Sequence, residues 1–145
     1  IERLAADDFP ARLALSLHAA NDEVRSQLMP VNKRFPIDVL LRACADYCER
    51  TRKKIFVEYL MLDEVNDAAA DARQLASILT QHLEGSCHVN LIAYNPAGTQ
   101  LRGSSAEQVR MFRDLLRAEG IASSYRVSRA SDIAGACGQL AGAGS

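Results

Sequence analysis

Five residues carry the side chains best suited to chemistry. Cys137 lies in "SDIAGACGQLAGAGS", flanked by Gly135, Ala136 and Gly138. Small neighbours leave a thiol approachable, and a thiolate is a good nucleophile. No histidine or acid suited to act as its base is evident nearby, which argues against a hydrolase. The alternative is an incidental cysteine in a loose tail. Ser16 and His18 share strand parity in "ALSLHA" and offer a hydroxyl and an imidazole to a polar ligand. They could equally satisfy local backbone groups. Asn95, between Tyr94 and Pro96, suits either ligand reading or a turn. Glu58 lies within an apolar run and could point to a cavity. Leu17, between Ser16 and His18, would have the opposite parity.

The other cysteines read differently. Cys44 and Cys48 have i, i+4 spacing among apolar neighbours, so core packing is expected rather than a metal pair. Cys87 beside His88 is also expected to be structural, because adjacent side chains diverge along a strand. No pair has zinc-ribbon spacing, and no metal site is expected from these residues. The residue totals allow one domain with a real core: 145 residues, 48% apolar, formal net charge −1. No apolar run reaches bilayer length, and the chain opens without a secretory signal pattern. A reduced, cytoplasmic protein with no membrane partner is expected. The basic run Arg50, Arg52, Lys53 and Lys54 and the later arginines could meet RNA phosphates, but solvated helix faces explain such charges equally well.

These residues need elements to position them. Leu13 to Ala19 reads as a strand by alternation. Pro36 precedes a helix burying Ile37, Leu40, Leu41, Cys44 and Cys48. Ile55 to Leu62 is nearly continuous in apolar residues, as in a parallel strand covered on both faces. Asn66 or Asp67 is expected to cap a helix burying Ala72, Leu75, Ala76, Leu79 and Leu83, ended by Gly85. His88 to Tyr94 gives a third strand. Ser104 or Ser105 starts a helix burying Val109, Phe112, Leu115 and Leu116, stopped by Gly120. "SSYRVSR" adds a short last strand. The alternation implies an α/β domain with parallel strands and covering helices, either an open sheet or an arc of a β/α barrel. Barrel chemistry gathers at the C-terminal strand ends, where Ser16, His18 and Asn95 fall.

Four stretches occur in order: "LALSLHAANDEVRSQLMPVNKRFP", "EYLMLDEVND", "VNLIAYNP" and "DIAGACGQL". Together they resemble the C-terminal half of the RNA adenine-C2 methyltransferases of the radical S-adenosylmethionine superfamily. The resemblance implies the C-terminal part of a partial β/α barrel over residues 1–130 and a catalytic-cysteine tail over 131–145. It implies S-adenosylmethionine and a [4Fe–4S] cluster as cofactors. Ribosomal RNA, and in many members transfer RNA, is the implied substrate, with an electron donor such as flavodoxin. Cys137 in "ACGQL" matches the cysteine that is methylated by one S-adenosylmethionine and attacked by a radical from a second. Its methylene radical then adds to adenine C2. Ser16, Leu17 and His18 in "SLH" match a cofactor-binding stretch, with Leu17 acting through its backbone. Asn95 in "YNP" matches another cofactor contact.

The chain departs from the family in lacking the Cys-x-x-x-Cys-x-x-Cys cluster motif, the glycine- and glutamate-containing cofactor motif and the second catalytic cysteine. The cluster ligands are therefore expected upstream, on the family's missing N-terminal half, and the chain alone is expected to be inactive. "LIAYNPAGTQLRGSS" varies a loop that is usually richer in proline and arginine, which bears on RNA contacts. The rival reading is a non-catalytic α/β module that binds RNA or protein.

Overall fold

Four strands pair in parallel in the order of the chain, a pattern that requires a crossover between each pair and the next. They are β1 (Ala14–Ser16), β2 (Ile55–Met61), β3 (Cys87–Ala93) and β4 (Ser123–Val127). A short α1 (Glu2–Ala6) precedes β1. α2 (Asp22–Leu28), a 3-10 turn over Pro30–Lys33 and α3 (Ile37–Thr51) connect β1 to β2. α4 (Ala69–Leu83) connects β2 to β3, and α5 (Ala106–Ala118) connects β3 to β4. The computed structural model describes residues 1–6, 10–94 and 100–127. The expected tail over 131–145, with Cys137, and the expected site residue Asn95 lie outside them.

Strand parity decides which side becomes the core. Ile55, Val57, Tyr59 and Met61 of β2 alternate onto one face with Leu15, Leu17, Val89 and Leu91, and there they meet α3, α4 and α5. The stripes read from the helices are the ones buried. Ala72, Leu75, Ala76, Leu79 and Leu83 of α4 all enter this core, as do Val109, Phe112 and Leu116 of α5. Leu40 and Leu115 are only half-buried, while Tyr47 of α3 is buried. The Tyr59 and Phe112 rings pack with centroids 5.2 Å apart. Truncating Phe112 to alanine would cost about 3–5 kcal/mol.

The opposite face departs from the expectation of a strand covered on both sides. Phe56 and Glu58 are half-buried and lie outside the core that, among the described residues, α3, α4 and α5 build. Leu60, Leu62 and Ile92 are covered, but by a separate small cluster with Leu28 of α2. A single apolar run thus contains one strand face sealed by helices and another sealed only near its C-terminal end.

Helix boundaries follow local chemistry. Ser105 caps α5 by accepting from Gln108 N–H (3.1 Å), and Asn21 caps α2 through Val24 N–H (2.9 Å). Asp22 Oδ1 accepts from the first N–H of α3, that of Ile37, at 2.9 Å. Gly85 and Gly120 leave their helices at φ +75 and +82. After β3 the chain folds back. Asp63 N–H donates to Arg102 C=O, Ser104 N–H to Met61 C=O, and Leu62 bridges Gly103. A Cβ on Gly103 would stand 1.6 Å from the Tyr94 carbonyl oxygen, so only glycine fits. Gly103→Ala is expected to lower unfolding free energy by more than about 2 kcal/mol. Ser105→Ala, which loses only a cap, should cost about 1 kcal/mol. Urea denaturation of both variants checks the ordering.

Candidate functional site

The face turned away from α3, α4 and α5 carries a polar row that crosses the four described strands. Ser16 pairs with Glu58, Glu58 with Asn90, and Asn90 with Ser124, so one register level holds four polar side chains on four strands. Asn90 Nδ2 donates to Glu58 Oε1 at 2.9 Å. Ser124 donates to Asn90 Oδ1 at 3.1 Å, so its oxygen is left to accept from His88 Nε2 at 2.9 Å. Arg126 Nη2 reaches Glu58 Oε2 at 3.5 Å from the far strand. The row is therefore directional, with His88 donating at one end and Glu58 accepting at the other. One level towards the strand N-termini, Phe56 and His88 meet edge to face, with centroids 5.9 Å apart. One level towards the C-termini stand Leu60 and Ile92. A ligand on this face meets an aromatic tier, a polar tier and an apolar tier about 7 Å apart.

The end of β1 borders this face. The Ser16 side chain belongs to the polar row and donates to no described residue. Leu17 is fully buried. Its N–H donates to Glu58 C=O (3.0 Å), and its C=O accepts from Arg25 Nε (3.0 Å). The backbone of Leu17 is thus already committed to the fold, with one carbonyl lone pair remaining. Arg25 Nη2 also donates to Ser16 C=O at 3.1 Å, and Nη1 to Asn32 Oδ1 at 2.7 Å. Arg25 is only 3% exposed and has no carboxylate within ion-pair distance among the described residues. Burial lowers its pKa, partly offset by Asp22.

His18 does not continue the strand alternation. The chain turns at φ +62, in the left-handed region that histidine enters only at a cost of about 1–2 kcal/mol. The residue is buried, at 3% exposure, against an exposed Ser16, and its Nδ1 accepts from Leu60 N–H at 3.0 Å. A backbone N–H can only donate, so Nδ1 is unprotonated and the neutral ring carries its proton on Nε2. Burial, and secondarily the charge of Arg25, push the His18 pKa down to about 4.

The expected structural cysteines behave as such. Cys44, Cys48 and Cys87 are buried free thiols. Burial raises all three pKa values, Cys44 to about 12 and Cys87 to about 11. Such thiols are poor nucleophiles and poor ligands. No group of three metal-ligating side chains occurs among the described residues, so these residues do not fit an iron–sulfur cluster. Nor is any helix among them long and apolar enough to cross a membrane.

Of the expected site residues, the structure places Ser16, Leu17 and His18 together at the C-terminal end of β1. Glu58 stands out in the sequence, but its alignment with Asn90, Ser124, His88 and Arg126 does not. Each sits on an ordinary strand pattern, and only the register aligns them.

The pH dependence of stability follows from His18. Its folded pKa lies below the ordinary 6.5, so the unfolded chain takes up a proton first as pH falls. This contribution is complete above pH 6.5 and is lost between there and about pH 4, by up to about 3 kcal/mol. Urea unfolding at pH 7.5 and 4.5 should show a smaller drop for His18→Gln than for the unmodified chain.

No family model matches the chain. Curated relatives do. The probable dual-specificity RNA methyltransferase RlmN of Alkaliphilus metalliredigens is 40% identical over 97% of this chain. Those of Roseiflexus sp. and Chloroflexus aurantiacus are each 45% identical, over 99% and 98% of it. The chain spans 38–39% of the length of these three relatives. A radical SAM methyltransferase from Sphaerobacter thermophilus superposes with a TM-score of 0.85 at 44% identity, over 95% of this chain and 40% of that one. A domain of pyruvate-formate lyase-activating enzyme from Bacteroides vulgatus shares the fold, with a TM-score of 0.64 at 16% identity. The sheet is therefore part of a radical-SAM α/β barrel, as expected.

Proposed function

We infer the function from the family to which this chain belongs, the RlmN radical-SAM RNA methyltransferases, matched over nearly its whole length. In the proposed reading the chain supplies one side of the active site of an enzyme that methylates adenine C2 in ribosomal RNA and transfer RNA. The observation that supports it is the polar row on the face turned away from α3, α4 and α5, which begins at Ser16 and has His18 near its end. A face lined by a carboxylate, an amide, hydroxyls and a guanidinium fits a nucleoside cofactor far better than it fits a packed protein core.

S-adenosylmethionine is the proposed cofactor, and bound there it supplies the methyl group. Ser16 offers it a hydroxyl, and His18 a neutral Nε2–H. Leu17 shapes the strand end through its committed backbone, and Asn95 adds an amide from the segment after β3. The iron–sulfur cluster is proposed to be held by sequence that this chain does not include, and an electron donor such as flavodoxin to serve that cluster. Cys137 is proposed as the methyl-carrying thiol. A carrier must approach first the cofactor and then the base, and the small neighbours Gly135, Ala136 and Gly138 impose little steric barrier to that. The remaining half of a family member is the proposed protein partner.

The test combines this chain with the cluster-bearing half of a family member, S-adenosylmethionine, a reductant and ribosomal RNA. Adenine C2 methylation is expected from the combination and not from either half alone. Cys137→Ala should reduce product by about a thousandfold or more, with cofactor affinity unchanged. Ser16→Ala should weaken cofactor binding about tenfold, measured by calorimetry. Normal product from Cys137→Ala would overturn the carrier role. RNA binding without methylation in any combination would favour a non-catalytic module.

A further inference from the structure

The sequence offers Asn66 or Asp67 as the cap of α4, and neither takes that place. Asp71 Oδ2 takes that role by accepting from Ala68 N–H at 3.0 Å. Asn66 instead lies 1% exposed between the ends of β1 and β2. Its Nδ2 donates to His18 C=O at 2.8 Å and to Leu60 C=O at 2.7 Å. Its Oδ1 accepts from Leu62 N–H at 2.8 Å, and its own carbonyl accepts from Tyr59 O–H at 2.7 Å. Both amide protons donate and the oxygen accepts once, and all three side-chain bonds go to backbone.

These bonds surround the one between Leu60 N–H and His18 Nδ1. Asn66 grips the carbonyl of the residue that supplies the imidazole and the carbonyl of the residue that donates to it. The ring therefore meets a fixed donor at Nδ1. Its Nε2 donates to no described residue, and no fully buried side-chain polar atom among those residues lacks a partner. Nε2 is thus the end of the ring left for something outside the described residues.

We propose that Asn66 is a positioning residue that locks the His18 imidazole as an Nε2–H donor toward a hydrogen-bond acceptor of the bound nucleoside cofactor. The lock follows from the geometry, and only the identity of the ligand rests on the function proposed above. Asn66 touches no ligand in this role. It acts through His18, as an outer partner fixes the tautomer of a working histidine. The arrangement also accounts for the left-handed turn at His18. A continued parallel ladder would bring Leu17 C=O to Leu60 N–H; that carbonyl accepts from Arg25 instead, the imidazole of the turned residue 18 takes its place at Leu60, and His18 C=O goes to Asn66.

Imidazole nitrogen–proton correlation spectra of the 15N-labelled chain at pH 7.5 test this. His18 should show Nε2 protonated and Nδ1 bare. A mixed or Nδ1-protonated tautomer in the unmodified chain would overturn the proposal without any variant. Asn66→Ala should release the ring into a tautomer mixture and weaken S-adenosylhomocysteine binding about tenfold. Asn66→Asp, which keeps size and acceptor but loses both donors, serves if the alanine variant does not fold. A folded variant with the His18 tautomer unchanged would also overturn it. Excess S-adenosylhomocysteine should shift His18 Nε2 more than Nδ1. A locked tautomer with no shift would defeat the cofactor assignment, whereas a tautomer indifferent to Asn66 would defeat the positioning role.

Discussion

The site depends on how the β1–β2 ladder ends. Backbone pairing runs as far as Leu17 N–H to Glu58 C=O, and then two side chains replace the backbone. His18 accepts from Leu60 N–H, and Asn66 serves Leu60 C=O and Leu62 N–H. A buried strand end with unpaired groups would cost about 1–3 kcal/mol for each one. Here each of these groups is paired, and the pairing brings an imidazole to the rim of the face turned away from α3, α4 and α5. The same bonds that close the sheet therefore set the chemistry at its edge.

Arg25 supports this from the other side. Its guanidinium holds the carbonyls of Ser16 and Leu17 and the side chain of Asn32, and Asn32 in turn meets Asp22. Asp67, next to Asn66, accepts from Ser104 O–H at 2.7 Å and ties the start of α5 to the end of β2. The segments after β1, β2 and β3 are thus joined by buried side-chain bonds rather than by apolar packing alone. Networks of this kind fix geometry well when fully satisfied and poorly when any member is lost. A surface meant to orient a polar ligand needs that rigidity.

The two faces of the sheet divide the work. One face buries aliphatic and aromatic side chains against α3, α4 and α5, and supplies stability. The other presents Ser16, Glu58, Asn90 and Ser124 in one row, with Arg126 and His88 bonded to it. Polar groups on central parallel strands are costly to cover with apolar structure, so their partner must itself be polar. The three cysteines on the core side, with raised pKa values, contribute packing and no reactivity.

Much of this was legible in the amino acids. The nearly continuous apolar run "KIFVEYLML" and the 3.6-residue stripes of α3, α4 and α5 set the elements and the main core, because each pattern is local. Ser105 as a cap and Gly85 and Gly120 as helix ends were legible for the same reason. The small helix α2 was missed, since its stripe amounts to little more than Leu28. Only the tertiary structure decided what Asn66 and His18 do. A left-handed turn ended the alternation at His18, and Asn66 found one partner 48 residues away, just after β1, and the others at the end of β2 rather than in the next helix. It also decided that Glu58, Asn90 and Ser124 share one level. Each strand fixes its own faces by its own sequence, but the offset between strands is set by how their helices pack, and no single segment contains that information.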